Sequence, residues 1–315
     1  MTYRTAWSYN EKDWGGINLR FVIDLRKTRK LSELVHELSE ILDNQDETIH
    51  ISLNFRDYNE LPYLLCIVAV INTVRSKGRA VQIDCDTKNT YLQRINFFKE
   101  LGVAHSERFS RHESSGKFVE ISHMTEETSN ETVTRIIKIL EAQMPLSENL
   151  IQCLNYCFWE AIDNIHEHAK SPIGGYAVAQ YYPKSKQIEI VIADTGRGIF
   201  NSLRENPQYA SFTEKEAIEC CIKQGYTRGN AGRGNGLFHT TRFLQENQGM
   251  FCLYSGHYAL RIDADEQKTL ELPYWHGTII YMKLRADVAV DLANIFGNEI
   301  PTSVDEYDDL INGLW

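Results

Sequence analysis

The chain has 315 residues, 43% of them hydrophobic and 24% charged, and a formal net charge of −10. That length and apolar content suffice for two ordinary domains with buried cores and exclude a disordered chain. The acidic balance argues against a general nucleic-acid or anionic-membrane binder, and no nucleic acid is expected as a partner.

The longest apolar run, Leu61 to Val74, is too short and too interrupted to span a bilayer, so no membrane partner is expected. The opening MTYRTAWSYNEKDWGG lacks a charged-then-apolar targeting pattern, and a cytoplasmic location is expected. The seven cysteines, an odd number, agree with a reducing compartment. None has zinc-site spacing with a second matching pair.

Residues 1–18, with Trp7, Trp14 and a Gly-Gly pair, read as an N-terminal arm. LRFVIDL (19–25) is predicted as a strand. LSELVHELSEIL (31–42) is an amphipathic helix with Leu31, Leu34, Val35, Leu38, Ile41 and Leu42 on one stripe. IHISLNF (49–55) is a second strand, and Leu61 to Arg75 a nearly all-apolar helix with Gly78 as its C-cap. AVQIDC (80–85) is a third strand, followed by a helix over YLQRINFFKELG (91–102). Strands alternating with helices predict a smaller α/β domain over 19–124. Its last part, His105 to Met124, is polar and suits a linker or irregular domain edge.

ETVTRIIKILEAQM (131–144) is an amphipathic helix, core-facing or a dimer interface, broken by Pro145. The next helix, capped by Ser147, is predicted to run to Lys170. Strands follow at Tyr176–Tyr182 and Ile188–Ala193, the second running into Asp194. Then come a helix over Glu214–Lys223, a glycine-rich loop over Gly225–Gly236 and a helix over Leu237–Gln245. Strands at 250–254, 258–262 and 278–284 close a domain over 125–286, a sheet faced by a few helices, so the whole chain is α+β. Residues 287–315 are an acidic tail whose Leu310, Ile311, Leu314 and Trp315 suit either a docking peptide or a last element.

Three stretches carry chemistry. In FWEAIDNIHEHA (158–169), Glu160, Asn164 and His168 recur every four residues and share one helix face. A carboxylate and an amide oxygen one turn apart can serve a hard cation such as Mg²⁺ and a reacting water or hydroxyl, although the pair alone describes a solvated face as readily. His166 and His168 point about 200° apart on a helix and cannot share a metal. DTGRG (194–198) ends an apolar strand with a carboxylate suited to an exocyclic amine and with two glycines for a tight turn, Gly196 and Gly198. GRGNG (232–236) opens a helix. Gly232, Gly234 and Gly236 free backbone N–H groups for an anion, with Arg228 and Arg233 as further charge.

The strand, the DYNELPYL turn, the apolar helix, the next strand and a helix ending in ELGV resemble the sulfate-transporter/anti-sigma-antagonist (STAS) domain. In that family the turn carries a phosphorylatable serine. Here it reads Asp57-Tyr58-Asn59-Glu60, and the resemblance implies a form not switched there by serine phosphorylation.

E-x-x-x-N-x-x-x-H on a helix, D-x-G-x-G after a strand, G-x-G-x-G-L opening a helix and a later Gly-Thr at 277–278 resemble, in that order, the GHKL ATPase superfamily. Its members include gyrase, the Hsp90 chaperones, histidine kinases and MutL, and its nucleotide site is the Bergerat fold, here over residues 145–285. The resemblance implies ATP and Mg²⁺ as ligands, Glu160 as general base, Asn164 as metal ligand and Asp194 as adenine reader. It also implies Gly196, Gly198 and Thr278 beside the base, and the 232–236 glycines as a lid over the phosphates.

A histidine kinase would need a phosphoacceptor histidine on a long helical hairpin, and His36 lies in no such context. Only about thirty residues follow Leu284, too few for the second domain of the gyrase, MutL and Hsp90 types. A slowly hydrolysing, nucleotide-gated regulatory switch acting on a protein partner or a homodimer is the first expectation. A serine/threonine kinase resembling the anti-sigma kinases, acting on a STAS-like partner, is the alternative.

Overall fold

A computed structural model describes residues 20–27, 29–56, 60–107, 109–163, 169–223, 236–263 and 266–296. Two sheets organise them. The first is three parallel strands, β1 (Arg20–Asp24), β2 (Thr48–Asn54) and β3 (Ala80–Cys85), in the order β1-β2-β3. Helices α1 (Leu31–Asp43) and α2 (Leu61–Ser76) make its crossovers. The second is antiparallel, in the order β4-β5-β6-β8-β7, from β4 (Phe118–Met124), β5 (Gly175–Tyr182), β6 (Gln187–Asp194), β7 (Met250–Asp263) and β8 (Glu266–Arg285). The architecture is α+β, and among the described residues no helix is long and apolar enough to cross a membrane.

The sequence of α2 explains how the sheets join. A helix apolar all round must be buried all round, and α2 buries Leu61, Leu64, Leu65, Ile67, Val68, Val70, Ile71 and Val74. It packs on β3 on one side and on β5 and β6 on the other, while α1 packs on β1 and β8. The two helices are therefore sandwiched between the sheets, in one apolar cluster that takes Ile51 and Leu53 from β2, Val191 and Ala193 from β6, and Ile279 from β8.

The opposite face of the antiparallel sheet carries a second cluster. Ile188, Ile190 and Ile192 of β6 and Ile280, Met282 and Leu284 of β8 meet α5 (Ser129–Gln143), α6 (Glu148–Asp163) and α9 (Gly236–Glu246) there. Alternate side chains of β6 thus enter opposite cores, which is why IEIVIAD reads as a near-continuous apolar run.

Four local expectations need correction. His105–Met124 is not a linker throughout, because Phe118–Met124 forms β4 and pairs with β5. The helix expected over 91–102 is two pieces, α3 (Thr90–Arg94) and α4 (Phe97–Glu100). Asn96 between them has φ 64, a left-handed turn that asparagine tolerates. The strands expected at 250–254 and 258–262 are one strand, β7, carried through a bulge at Ser255–Tyr258 with Gly256 at φ 60. The strand expected at 278–284 is the end of the twenty-residue β8. Two short helices, α7 (Gly198–Leu203) and α8 (Glu214–Cys220), cover the β7 side. The start of the acidic tail forms α10 (Leu292–Phe296), which docks on α9 with Ile295 in the core.

Candidate functional site

The buried stripe Leu150, Leu154, Phe158 and Ile162, one residue per turn, seats α6 in the second core. Glu160 belongs to α6, and its side chain lies outside the described set. Asn164, Arg228, Gly232, Arg233 and Gly234 lie outside the described residues altogether. Gly236 is the first residue of α9, where the glycine-rich loop was expected to enter a helix. The described part of the site centres on Asp194, Gly196, Gly198 and Thr278.

Asp194 ends β6 and is 2% exposed. β6 and β8 are paired with Ala193 opposite Ile279, which sets Thr278 beside Asp194. The carboxylate accepts the Gly196 backbone N–H at 2.7 Å, and it accepts both the backbone N–H and the hydroxyl of Thr278. Burial pushes this carboxyl up to about 7, and the three donors pull the other way without cancelling it. The Asp194 carbonyl accepts Trp275 Nε1–H at 3.1 Å, and Trp275 is fully buried.

Gly277 explains why glycine precedes Thr278. It sits at φ +98, and a Cβ there would lie 2.3 Å from the Asp194 carbonyl oxygen and 2.5 Å from its Oδ1. Neither distance is tolerable, so the close approach of β8 to Asp194 requires glycine.

The DTGRG glycines are also filled in, by the protein itself. A Cβ at Gly196 would lie 2.1 Å from the Ala169 carbonyl, the oxygen that accepts the Arg197 backbone N–H at 2.8 Å. Gly198, at φ +76, opens α7, and a Cβ there would meet Ser255 Oγ at 2.7 Å. Ser255 donates to the Gly277 carbonyl at 2.7 Å and accepts the Ile199 N–H at 3.0 Å, joining the two glycine boxes. Arg197 donates to Glu205, which also receives Lys170 Nζ at 3.0 Å, so that glycine turn is tied to the exit of the Asn164 segment.

The structure therefore brings Asp194, Gly196, Gly198 and Thr278 together where the end of β6 meets the middle of β8. Ser255 and Trp275 belong to the same constellation and carry no motif of their own; only pairing of β7 with β8 reveals them. His36 is surface-exposed on α1, facing Glu40 at 3.8 Å. Among the described residues no group of three or more His, Cys, Asp or Glu could hold a metal. A Mg²⁺ bound through one amide oxygen, phosphates and water would not need one.

Chemically, the constellation is a dry carboxylate acceptor flanked by a hydroxyl, a site suited to a donor such as an exocyclic amine on a flat ring. Compared with known proteins, the chain matches no protein-family model and no curated protein.

Proposed function

We propose that this chain binds Mg·ATP at a GHKL-type site, hydrolyses it slowly and uses the bound state to gate a protein partner or its own dimerisation. The observation that carries the reading is the meeting of two distant glycine boxes at one buried carboxylate. Gly196 donates to Asp194, and Gly277 makes room for it while Thr278 donates to it. A generic strand end needs no carboxylate in so dry a place, where burial is costly unless the group has work to do.

The described part of the donor set, Asp194 with Thr278, suits the ligand. Asp194 accepts from the adenine amine, with Thr278 orienting the carboxylate. Gly232, Gly234 and Gly236, with Arg228 and Arg233, hold the phosphates, and α9 begins where that loop ends. Asn164 supplies the protein's oxygen to Mg²⁺. Bound Mg·ATP brings a transferable phosphoryl group and the charge that neutralises it. Glu160 takes the proton from the attacking oxygen, which is water in the ATPase reading.

Nucleotide titration and steady-state phosphate release test this. Wild type should bind ATP only with Mg²⁺ at full strength, Asn164→Ala should lose that Mg²⁺ dependence, and Glu160→Ala should bind but not turn over. Equal turnover by Glu160→Ala would remove it as base, and unaltered affinity in Asn164→Ala would undercut the site. Label transferred to a STAS-type protein in place of released phosphate would make the chain a kinase.

A further inference from the structure

The DTGRG turn is held from two directions, and one of them comes from the first half of the chain. On the α6 side, Ala169 receives the Arg197 N–H. On the other side stands Thr73, near the end of α2, 2% exposed in a helix that is otherwise packed with apolar side chains.

The Thr73 hydroxyl donates to the Ala69 carbonyl at 2.8 Å, the back-bond common for threonine in helices. A hydroxyl has one proton, so in its close contact with Thr195 Oγ1 the Thr73 oxygen accepts and Thr195 donates. Thr195 is 7% exposed. Its neighbour in sequence is Asp194.

Helix α1 makes a matching grip on the other strand. Ser39 donates to the Tyr274 carbonyl, and Asp43 pairs with His276 Nε2 at 3.1 Å. These two contacts flank Trp275, whose indole N–H holds the Asp194 carbonyl. The end of β6 that carries Asp194 is thus fastened to α2, and the stretch of β8 just before Thr278 is fastened to α1.

We propose that Thr73 is a positioning residue of the nucleotide pocket: through Thr195 it fixes the end of β6 that presents Asp194, so that α1 and α2 are part of the nucleotide site and not a detachable module. This rests on the adenine-nucleotide reading above. Replacing Thr73 by the isosteric valine leaves the packing intact but takes away the one acceptor that the described residues offer the Thr195 proton. A buried donor without a partner is costly, so the turn rotates to find another and carries Asp194 with it.

The test uses the full chain with ATP and inosine triphosphate, which carries a carbonyl where adenine has its amine, and it includes thermal unfolding without nucleotide. Thr73→Val should weaken ATP binding about tenfold, the size of one unsatisfied buried donor, and shrink the ATP-over-ITP preference by a similar factor. Thr73→Ser, which restores the acceptor, should recover both. Thr73→Ala is carried in parallel, so that a valine variant that fails to fold does not remove the comparison. A valine or alanine variant that loses thermal stability but keeps the wild-type ATP-over-ITP preference makes Thr73 a packing residue and overturns the inference alone. A wild type that shows no ATP binding, or no preference for ATP over ITP, overturns the nucleotide reading and this inference with it.

Discussion

Asp194 offers the sharpest pH test. With its carboxyl near 7, about nine-tenths is ionised at pH 8 and about one-tenth at pH 6. The ionised form is the stronger, charge-assisted acceptor for an adenine amine, and it places no proton against that donor. Affinity for ATP relative to ITP is therefore expected to fall about tenfold between pH 8 and pH 6, and the ratio cancels titration of the triphosphate itself. The stability of the nucleotide-free protein should move in the opposite sense. Burial raises the folded-state value, so the unfolded chain gives up this proton first, near 3.8. Stability then falls as pH rises from about 4 to about 7 and is flat above, by a total on the order of 4 kcal/mol from this group. Asp194→Asn should flatten both profiles. Competition binding against a fluorescent nucleotide, with urea unfolding at each pH, measures them. A wild-type ratio that does not change with pH, or an Asp194→Asn ratio that still does, would refute the assignment of Asp194 as the base reader.

The remaining predictions concern the frame around that carboxylate. Gly277→Ala forces a side chain at φ +98 into the Asp194 backbone and should cost about 3 kcal/mol or more, read as a lowered urea midpoint; an unchanged midpoint would contradict the close approach. Trp275→Phe keeps the buried ring but removes the donor to the Asp194 carbonyl, for a loss of about 1–3 kcal/mol by the same assay. Leu64→Ala, at a fully buried position of α2, should cost about 2–5 kcal/mol and lower one cooperative calorimetric transition, because both sheets share that helix; two separable transitions would count against the shared core.

Much of the fold is legible in the sequence. The stripe of α1, the all-apolar α2 and the alternating strands β1 to β3 follow from local periodicity, and they lie within a residue or two of expectation. The misses have physical causes. β4 (FVEISHM) follows the polar, Ser- and Gly-containing stretch from His105, which hides it in the sequence, and its pairing with β5 shows it to be a strand. The Asn96 break is one residue in a left-handed conformation, which periodicity does not register. β7 appeared as two strands because a glycine bulge looks like a turn until a partner strand runs past it.

The same division holds at the site. From residues alone, DTGRG and the Gly-Thr of 277–278 could be set in order and given expected roles, since a carboxylate after an apolar strand and paired glycines are local features. What only the tertiary structure decided is who surrounds Asp194. Thr278 and Trp275 reach it across a strand pair, Ser255 ties the two glycine boxes, and Thr73 touches the turn from a helix that the sequence assigns to another layer. Contacts of this kind depend on sheet register and on α2 being apolar on every side. The first follows from strand pairing far along the chain. The second, plain in the sequence, says that α2 must be buried but not against what.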